Sequence, residues 1–155
     1  MKISIKKVCS VQDCIVCNKM LEELIQFESK LDCEINENYK IVNFYERTLN
    51  KDDSIIFLAT CNNSPVGYIM AYKEKPNEAS KSNTITIMNL FIKHEYRNKK
   101  IGTQLIDEVE KWAESLCENY VIELDCIFNN EMAIKFYKKL GYHPVRIKLR
   151  KDFKE

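Results

Sequence analysis

The sequence lacks an apolar stretch that could cross a membrane, and it lacks an excess of either charge. No window approaches the roughly 18 apolar residues that a spanning helix requires, and the basic N-terminus, MKISIKKVCS, lacks the apolar run of a signal peptide. The 24 lysines and arginines nearly balance the 23 aspartates and glutamates, so the net charge is +1. Membrane insertion, export and a general attraction to nucleic acid are therefore not expected.

The cysteines and histidines lack the arrangement of a disulfide framework or a metal site. The seven cysteines are an odd number, scattered mostly through apolar segments such as residues 121–128, where a free thiol behaves as a small hydrophobe. Cys14 and Cys17 have no second cysteine pair or nearby histidine to complete a zinc set. His94 and His143 are far apart, and neither has a recognisable nucleophile. We expect a reduced, cytoplasmic protein without a bound metal.

The 155 residues, 45% of them hydrophobic, are enough for one domain over residues 1–155 with a sizeable core. The apolar pattern predicts a strand at 3–8, a helix at 11–31 and a shorter helix at 38–49. It predicts a hairpin from the runs 54–61 and 65–72, which flank Asn62, Asn63 and Ser64. The second half predicts a strand at 84–92, a helix at 100–116, a strand at 121–127, a helix at 130–140 and a last strand at 145–149. This order indicates an α/β fold, an α+β mixed sheet of about six to seven strands with helices on both faces.

A basic loop lies between the strand predicted at 84–92 and the helix that follows it. The first amides of a helix have no intrahelical partner, and together with the positive end of the helix dipole they attract anions. The loop carries more cations than anions, namely Lys93, Arg97, Lys99 and Lys100 against Glu95. It is either a site for a pyrophosphate group or a solvated basic turn before an ordinary helix.

The helix predicted at 130–140 carries apolar residues at spacings of three and four. Ala133 leaves room beside the helix, Phe136 can pack, and Tyr137 can point back towards the strand ends. Taken alone, Tyr137 would equally suit a half-buried aromatic residue in an amphipathic helix.

Two segments together resemble the GCN5-related N-acetyltransferase (GNAT) family. Residues 97–103, RNKKIGT, resemble its signature Arg/Gln-x-x-Gly-x-Gly/Ala. Residues 130–142, NEMAIKFYKKLGY, resemble its later signature Asn-x-x-Ala-x-x-Phe/Leu-Tyr-x-x-x-Gly-Phe/Tyr. The resemblance extends over almost the whole chain and is strongest between residues 84 and 142.

The resemblance implies an N-acetyltransferase that moves an acetyl group from acetyl-CoA to a primary amine by direct transfer in a ternary complex. The backbone of residues 90–92 would pair with the pantetheine arm, residues 97–103 would hold the pyrophosphate, and Tyr137 would protonate the departing thiolate. The implied coenzyme-binding residues are Leu90, Phe91, Ile92, Arg97, Asn98, Lys99, Lys100, Ile101, Gly102, Thr103, Asn130, Ala133, Phe136 and Tyr137.

Two features depart from the family pattern. Asn98 and Lys100 stand where many relatives have glycine, although asparagine tolerates left-handed backbone. Many relatives also carry a glutamate, a candidate general base, near the position of Met88 or Asn89. This chain has no carboxylate between Thr84 and Lys93. No direct base is therefore assigned there.

Other carboxylates are candidates for the base and for the acceptor site. Glu123 and Asp125 could accept the amine's proton through water, or they could form the polar outer face of a strand. The acidic stretch comprises Glu22, Glu23, Glu28, Asp32, Glu34 and Glu37, against Lys30. This stretch could attract a small cationic molecule or a peptide amine, or serve only solubility.

Two other functions compete with catalysis. Because the strand carboxylate is missing, a non-catalytic acyl-CoA-binding regulatory or sensor module is the alternative. Nucleic-acid binding is not expected, since the basic residues of the C-terminal part lack interleaved aromatic residues. These basic residues are Lys135, Lys138, Lys139, Arg146, Lys148, Arg150 and Lys151. Exposed sheet edges and the last strand favour a homodimer.

Overall fold

A computed structural model describes residues 1–153. One sheet has the strand order β1–β2–β3–β4–β5, and its strands are β1 Ile3–Lys7, β2 Ser54–Cys61, β3 Ser64–Lys73, β4 Asn83–Ile92 and β5 Tyr120–Leu124. Neighbours from β1 to β4 are antiparallel, whereas β5 is parallel to β4. The helices are α1 Val11–Ser29, α2 Ile101–Leu116 and α3 Glu131–Lys139. The mixed sheet confirms the predicted fold class.

The sheet carries helices on both faces because its central strands are apolar on both sides. In β2, Ile55 and Phe57 join the core that packs under α2, whereas Ile56 and Leu58 join the core that packs under α1. This alternation follows from the two-residue period of a strand. The residues of α2 that this packing buries are Ile101, Leu105, Ile106, Val109 and Ala113. The predicted covering of both faces is confirmed.

The cysteines behave as the apolar pattern predicts. All seven are free thiols, and Cys14, Cys17 and Cys61 are buried. Burial, followed by the charge of Glu46, raises the pKa of Cys14 to about 11. These thiols are therefore packing groups. No helix among residues 1–153 combines the length and apolar character of a membrane span.

The predicted hairpin is confirmed, although Ser64 begins β3 and is not part of the turn. Cys61 pairs with Ser64, so the turn consists of two residues. Asn62 and Asn63 have φ angles of 48° and 68°. Both values lie in the left-handed region that this short hairpin turn requires and that asparagine tolerates.

The helix predicted at 38–49 is wrong. The structure has only a 3-10 turn at Tyr45–Thr48. Asn43 and Asn50 bracket this turn with φ angles of 50° and 60°, which a continuous right-handed helix cannot contain. The apolar residues nevertheless serve the core, since Tyr45 is fully buried under α1.

The strand predicted at 145–149 is also wrong, and the sheet formed by residues 1–153 has five strands instead of about six to seven. β5 is shorter than predicted and ends at Leu124. Residues 143–153 form no helix or strand, and their backbone makes no hydrogen bond within residues 1–153. Alternating residues predict the capacity to form a strand, but a strand needs a neighbour whose edge lies within reach.

Candidate active site

The crevice of the fold opens where β4 and β5 separate. Their ladder runs from Asn83 opposite Tyr120 to Ile87 opposite Leu124, whereas β4 remains paired with β3 as far as Ile92. Met88 is an extra residue in β4, and such a bulge bends and twists its strand. Among residues 1–153, the edge of β4 beyond the bulge has no second strand. The backbone of residues 90–92 can therefore pair with an extended ligand.

The side chains of residues 90–92 serve the two cores. Phe91 is buried on the α1 side, while Leu90 and Ile92 pack partly buried on the α2 side. Only their backbone is offered to the crevice. The sequence predicted a backbone role for these residues, and that role remains a prediction.

The loop after β4 presents a run of open backbone amides. Within residues 1–153, the N–H groups of residues 98–103 find no acceptor, and the first amide of α2 with a partner is that of Gln104, which donates to the carbonyl oxygen of Lys100 at 3.1 Å. No side chain caps α2. Six successive open amides at a helix start form the kind of concavity that binds phosphate.

The left-handed backbone of this loop explains why relatives carry glycine there. Asn98 and Lys100 have φ angles of 60° and 63°. Left-handed residues in such a turn help to direct successive N–H groups towards one point. Asn98 and Lys100 therefore adopt the left-handed backbone conformation that glycine adopts easily. For Lys100 this conformation is less favourable, because lysine has a Cβ atom.

The basic residues of the loop are partly engaged. Arg97 donates from Nε to the carbonyl oxygen of Ile92 at 3.0 Å, and its guanidinium carbon lies 5.1 Å from the ring centre of Phe27 in α1. Lys99 lies 5.1 Å over the ring of Tyr96. Among the remaining predicted residues, Ile101 is buried and offers only its backbone, whereas Thr103 is half-buried. Arg97 thus joins the loop of residues 97–103, called here the phosphate loop after its predicted role, to β4 and to α1.

Gly102 brings the two sequence motifs together. A Cβ atom at Gly102 would lie 3.1 Å from Cζ of Phe136, which is closer than most real Cβ contacts. The ring of Phe136 therefore packs directly on the first turn of α2. This contact holds α3 against the phosphate loop, and a side chain at position 102 would push the two helices apart.

The start of α3 is capped, unlike the start of α2. Oδ1 of Asn130 accepts a hydrogen bond from the N–H of Ala133 at 3.2 Å. The amide nitrogen of Asn130 has no partner within residues 1–153, so it is the part of this side chain that a coenzyme arm can contact. Ala133 is half-buried, as is Phe136.

Tyr137 presents an unpaired phenol in a largely apolar setting. Its ring lies 5.1 Å from that of Phe136 and 5.7 Å from that of Tyr142, both in edge-to-face geometry. Its hydroxyl makes no hydrogen bond within residues 1–153. Burial, and then the neighbouring Cys126, Tyr142 and Glu28, raise the pKa of Tyr137 above its ordinary value. The phenol therefore keeps its proton at neutral pH.

A raised pKa makes Tyr137 a weaker acid, but its surroundings act on a thiol in the same way. Burial, followed by the charge of Glu28, also raises the pKa of the nearby Cys126. A thiolate produced beside Tyr137 would likewise be poorly solvated and would bind a proton more tightly than in water. The pKa values of donor and acceptor therefore rise together, which keeps proton transfer feasible.

Glu28 is the carboxylate whose importance the sequence pattern did not indicate. It lies in the last turn of α1, is half-buried, and makes no hydrogen bond or ion pair through its side chain within residues 1–153. Burial raises its pKa, and its charge acts on the pKa of Tyr137, Cys126 and Tyr68. In the sequence it is one of six acidic residues, and only the packing distinguishes it.

The other base candidates are less favourably placed. Asp125 is exposed beyond the end of β5, and Glu123 is half-buried within β5. Met88 and Asn89 lie near where many relatives carry a base, but Met88 is a bulged residue, and Oδ1 of Asn89 accepts a hydrogen bond from the Tyr45 hydroxyl at 2.7 Å. That hydroxyl is 2.8 Å from the hydroxyl of Tyr68. Asn89 is therefore part of a buried hydrogen-bonded network and cannot accept a proton as a carboxylate does.

No group of three or more metal-ligating side chains occurs in the part of the chain that the structure describes. The chemical groups that border the crevice are the open backbone amides, the amide side chain of Asn130 and the phenol of Tyr137, on whose pKa the carboxylate of Glu28 acts. This set suits binding of a phosphate-bearing ligand and movement of single protons.

Comparison with known proteins gives relatives in sequence and in fold. N-alpha-acetyltransferase 30 of Dictyostelium discoideum is 33% identical over 119 residues, which are 76% of this chain and 61% of that protein. The N-alpha-acetyltransferase of Saccharolobus solfataricus is 28% identical over 144 residues, which are 88% of this chain and 84% of that protein. The chain thus spans less than two thirds of the first of these relatives.

The fold has counterparts among solved structures. The tetramutant of the BH1408 protein from Bacillus halodurans superposes with a TM-score of 0.83 at 17% identity, covering 97% of this chain and 99% of that one. The model of the acetyltransferase (GNAT) family matches residues 18–142, which include both motifs and the crevice between them. The chain belongs to the acetyltransferase (GNAT) family.

Proposed function

We propose that this protein transfers an acetyl group from acetyl-CoA to the α-amino group of a peptide, directly and within a ternary complex. The observation that carries the proposal is the run of open amides at residues 98–103, linked through Gly102 and Phe136 to the helix that bears Tyr137. An anion site and a proton donor thus border one crevice.

The backbone supplies most of the proposed binding. The amides of residues 98–103 hold the pyrophosphate, with the positive end of α2 behind them. The open edge of β4 at residues 90–92 pairs with the pantetheine arm and places a backbone N–H beside the thioester carbonyl. Asn130 contributes its free amide nitrogen.

Side chains carry the proposed chemistry. The amine nitrogen forms a bond to the thioester carbonyl carbon, and the carbon–sulfur bond breaks. Tyr137 donates its proton to the sulfur that leaves, and solvent later restores that proton. Glu28, directly or through water, accepts the proton that the amine loses. Its pKa is raised by burial, which makes it a better proton acceptor than an ordinary carboxylate.

An α-amine suits this site better than a lysine side chain does. A lysine amine has a pKa near 10.4, so exposing its lone pair at neutral pH costs roughly 4 to 5 kcal/mol. An α-amine has a pKa of about 8 and costs roughly 1 kcal/mol. Because β4 carries no carboxylate between Thr84 and Ile92, the less costly acceptor is favoured. The names of the two relatives, both N-alpha-acetyltransferases, support the same choice.

One observation favours a second function, a binder of acyl-CoA without turnover. Near the usual position of the strand base the chain carries Met88 and Asn89 instead, and the side chain of Asn89 accepts a partly buried hydrogen bond from Tyr45. A protein of this kind would bind acetyl-CoA and release no thiol.

The test is a thiol-release assay with acetyl-CoA and a panel of amines, run with calorimetry of acetyl-CoA binding. We expect turnover with peptides that have a free N-terminus, and none with the same peptides when the N-terminus is blocked and a lysine remains. Polyamines and aminoglycosides complete the panel. Turnover only with these cations would contradict the peptide acceptor, and binding without thiol release would establish the sensor instead.

A further inference from the structure

A row of three polar side chains leads from the core under α1 to the open part of β4. The hydroxyl of Tyr68 lies 2.8 Å from the hydroxyl of Tyr45, which donates to Oδ1 of Asn89 at 2.7 Å. Both tyrosines are fully buried, whereas Asn89 is partly exposed. Asn89 lies beyond the bulge at Met88, in the part of β4 with which β5 does not pair. The row therefore reaches the crevice at Asn89.

The protons of this row can be assigned. The single hydroxyl proton of Tyr45 goes to Asn89, so Tyr68 is the donor to Tyr45. If the amide of Asn89 were turned, Nδ2 would donate to Tyr45 and Tyr45 to Tyr68. The proton of the buried Tyr68 hydroxyl would then have no acceptor within residues 1–153, which is costly. The two tyrosines therefore fix the orientation of the amide, with Oδ1 facing inward.

The nitrogen of the same amide is an unused donor. Within residues 1–153, Nδ2 of Asn89 makes no hydrogen bond. In this part of the chain the only buried side-chain nitrogen or oxygen atom without a partner is the hydroxyl of Tyr142, so Nδ2 is open to solvent. Hydrogen bonds in a row polarise one another, and donation through the two tyrosines strengthens the N–H groups of Nδ2 as donors. Asn89 thus offers an oriented donor to a ligand.

The surroundings of Asn89 indicate which ligand group this donor meets. Its bond to Tyr45 places Asn89 on the side of the sheet that α1 covers. Glu28 of α1 acts on the pKa of both Tyr68 and Tyr137, so its carboxylate lies within electrostatic range of the row and of the phenol. An amine that loses its proton to Glu28 is therefore near Asn89. In a peptide, the α-amine and the first carbonyl group are attached to the same carbon atom.

We propose that Nδ2 of Asn89 donates a hydrogen bond to the first carbonyl oxygen of the peptide acceptor, and that the hydroxyl of Tyr45 positions the amide for this contact. The inference rests on the proposed function and names the feature of the acceptor that the site recognises. A polyamine and the end of a lysine side chain have no carbonyl group beside their amine. A carboxylate in place of Asn89 could not select in this way, because it has no proton to donate.

The test compares two acceptors: a peptide with a free N-terminus, and its isostere in which a carbon–carbon double bond replaces the first peptide bond. kcat/KM is measured for each with the original protein and with Asn89→Asp, which can still accept from Tyr45 but has no N–H donor. We expect the preference for the peptide over the isostere to fall by about 5- to 10-fold in the variant. A new carboxylate that acted as a base would change the rates of both acceptors and would largely cancel in this ratio.

Tyr45→Phe tests the positioning role, because it releases the amide of Asn89 without removing its donor. The same preference should fall, but less than in Asn89→Asp. Tyr72→Phe is the matched control, since Tyr72 packs against the same core and its hydroxyl makes no hydrogen bond within residues 1–153. It should leave the preference unchanged. Thermal unfolding checks that each variant is folded.

The possible outcomes separate this inference from the proposed function. Turnover of the peptide with the same preference in the original protein, Asn89→Asp and Tyr45→Phe would overturn the inference and leave the proposed function intact. This result includes an equal loss of rate on both acceptors, which would mean that Nδ2 serves the thioester. Absence of turnover with either acceptor in the original protein would overturn the proposed function, and the inference with it.

Discussion

The starts of α2 and α3 border the same crevice, but only the start of α3 is capped by a side chain. α2 begins at a left-handed Lys100 with no side-chain cap, and the amides of residues 98–103 are left open. α3 begins with Asn130, whose side chain accepts from the N–H of Ala133. One helix start is left incomplete by its own chain, and the other is satisfied.

The difference assigns separate tasks to the two helices. An incomplete start offers backbone N–H groups to a ligand's negative charge, at the cost of unsatisfied donors in its absence. A capped start is stable by itself and can hold a reacting side chain in place. In the proposed mechanism, α2 is therefore the anchoring helix, and α3, which carries Tyr137, is the reacting helix.

The strongest way to break this comparison is Tyr137→Phe. We expect kcat to fall by about 100- to 10,000-fold, because the leaving sulfur loses its proton donor. The affinity for acetyl-CoA should stay unchanged, since α2 is untouched. Steady-state kinetics and calorimetry measure the two quantities. A fall in affinity equal to the fall in kcat would show that the helices do not divide their tasks.

Tyr142→Phe is the matched control for that variant. The hydroxyl of Tyr142 is buried and has no hydrogen-bond partner within residues 1–153, and its ring neighbours that of Tyr137. Its removal should raise the free energy of unfolding, because an unsatisfied buried group is lost. Turnover should remain close to that of the original protein.

A smaller effect is expected from Glu28→Gln. This variant tests whether Glu28 of α1 accepts the amine's proton while Tyr137 of α3 protonates the sulfur. We expect kcat/KM to fall by about 10- to 100-fold, less than for Tyr137→Phe, because an α-amine is partly unprotonated without help. In the original protein, kcat/KM should rise with pH as Glu28 ionises, at a pH above the ordinary range of a carboxyl group. The variant should lose this rise.

The same variant, which should lower activity, should raise the stability of the folded protein. Because burial raises the pKa of Glu28, the folded protein holds its proton more tightly than the unfolded chain does. The stability that Glu28 contributes is complete below its unfolded pKa and is lost as the pH rises through its folded pKa. Glu28→Gln should therefore be more stable than the original protein at neutral pH. Lower stability there would contradict the burial of this carboxylate.

The smallest effect is expected when the capping side chain of α3 is removed and the result is compared with removal of the cap of α1. Asn130→Ala and Ser10→Ala each remove a side chain that accepts from a first-turn amide, at 3.2 Å in α3 and 3.1 Å in α1. Each should cost about 1 kcal/mol of unfolding free energy, measured by denaturant titration. Only Asn130→Ala should also lower kcat, because only α3 carries the phenol. Equal kinetics for the two variants would contradict that role of α3.

Local patterns predicted the parts of the fold that depend on neighbours in sequence. The hairpin followed from Asn62 and Asn63, whose tolerance of left-handed backbone is a property of the residue type. The apolar face of α2 followed from its spacing. The turn at Tyr45–Thr48 was mistaken for a helix, because the apolar pattern does not record the left-handed φ angles of Asn43 and Asn50 on either side of it.

The sequence by itself determined the family, the loop predicted to bind phosphate and the helix that carries Tyr137, because these are short motifs in which residue type and spacing carry the information. The tertiary structure alone decided which of six acidic residues acts electrostatically on the phenol, that the side chain of Asn89 is held by Tyr45, and that residues 145–149 find no neighbouring strand within residues 1–153. Each of these depends on segments far apart in the chain. Their distances are set by how the two cores pack against the sheet, and no local pattern records them.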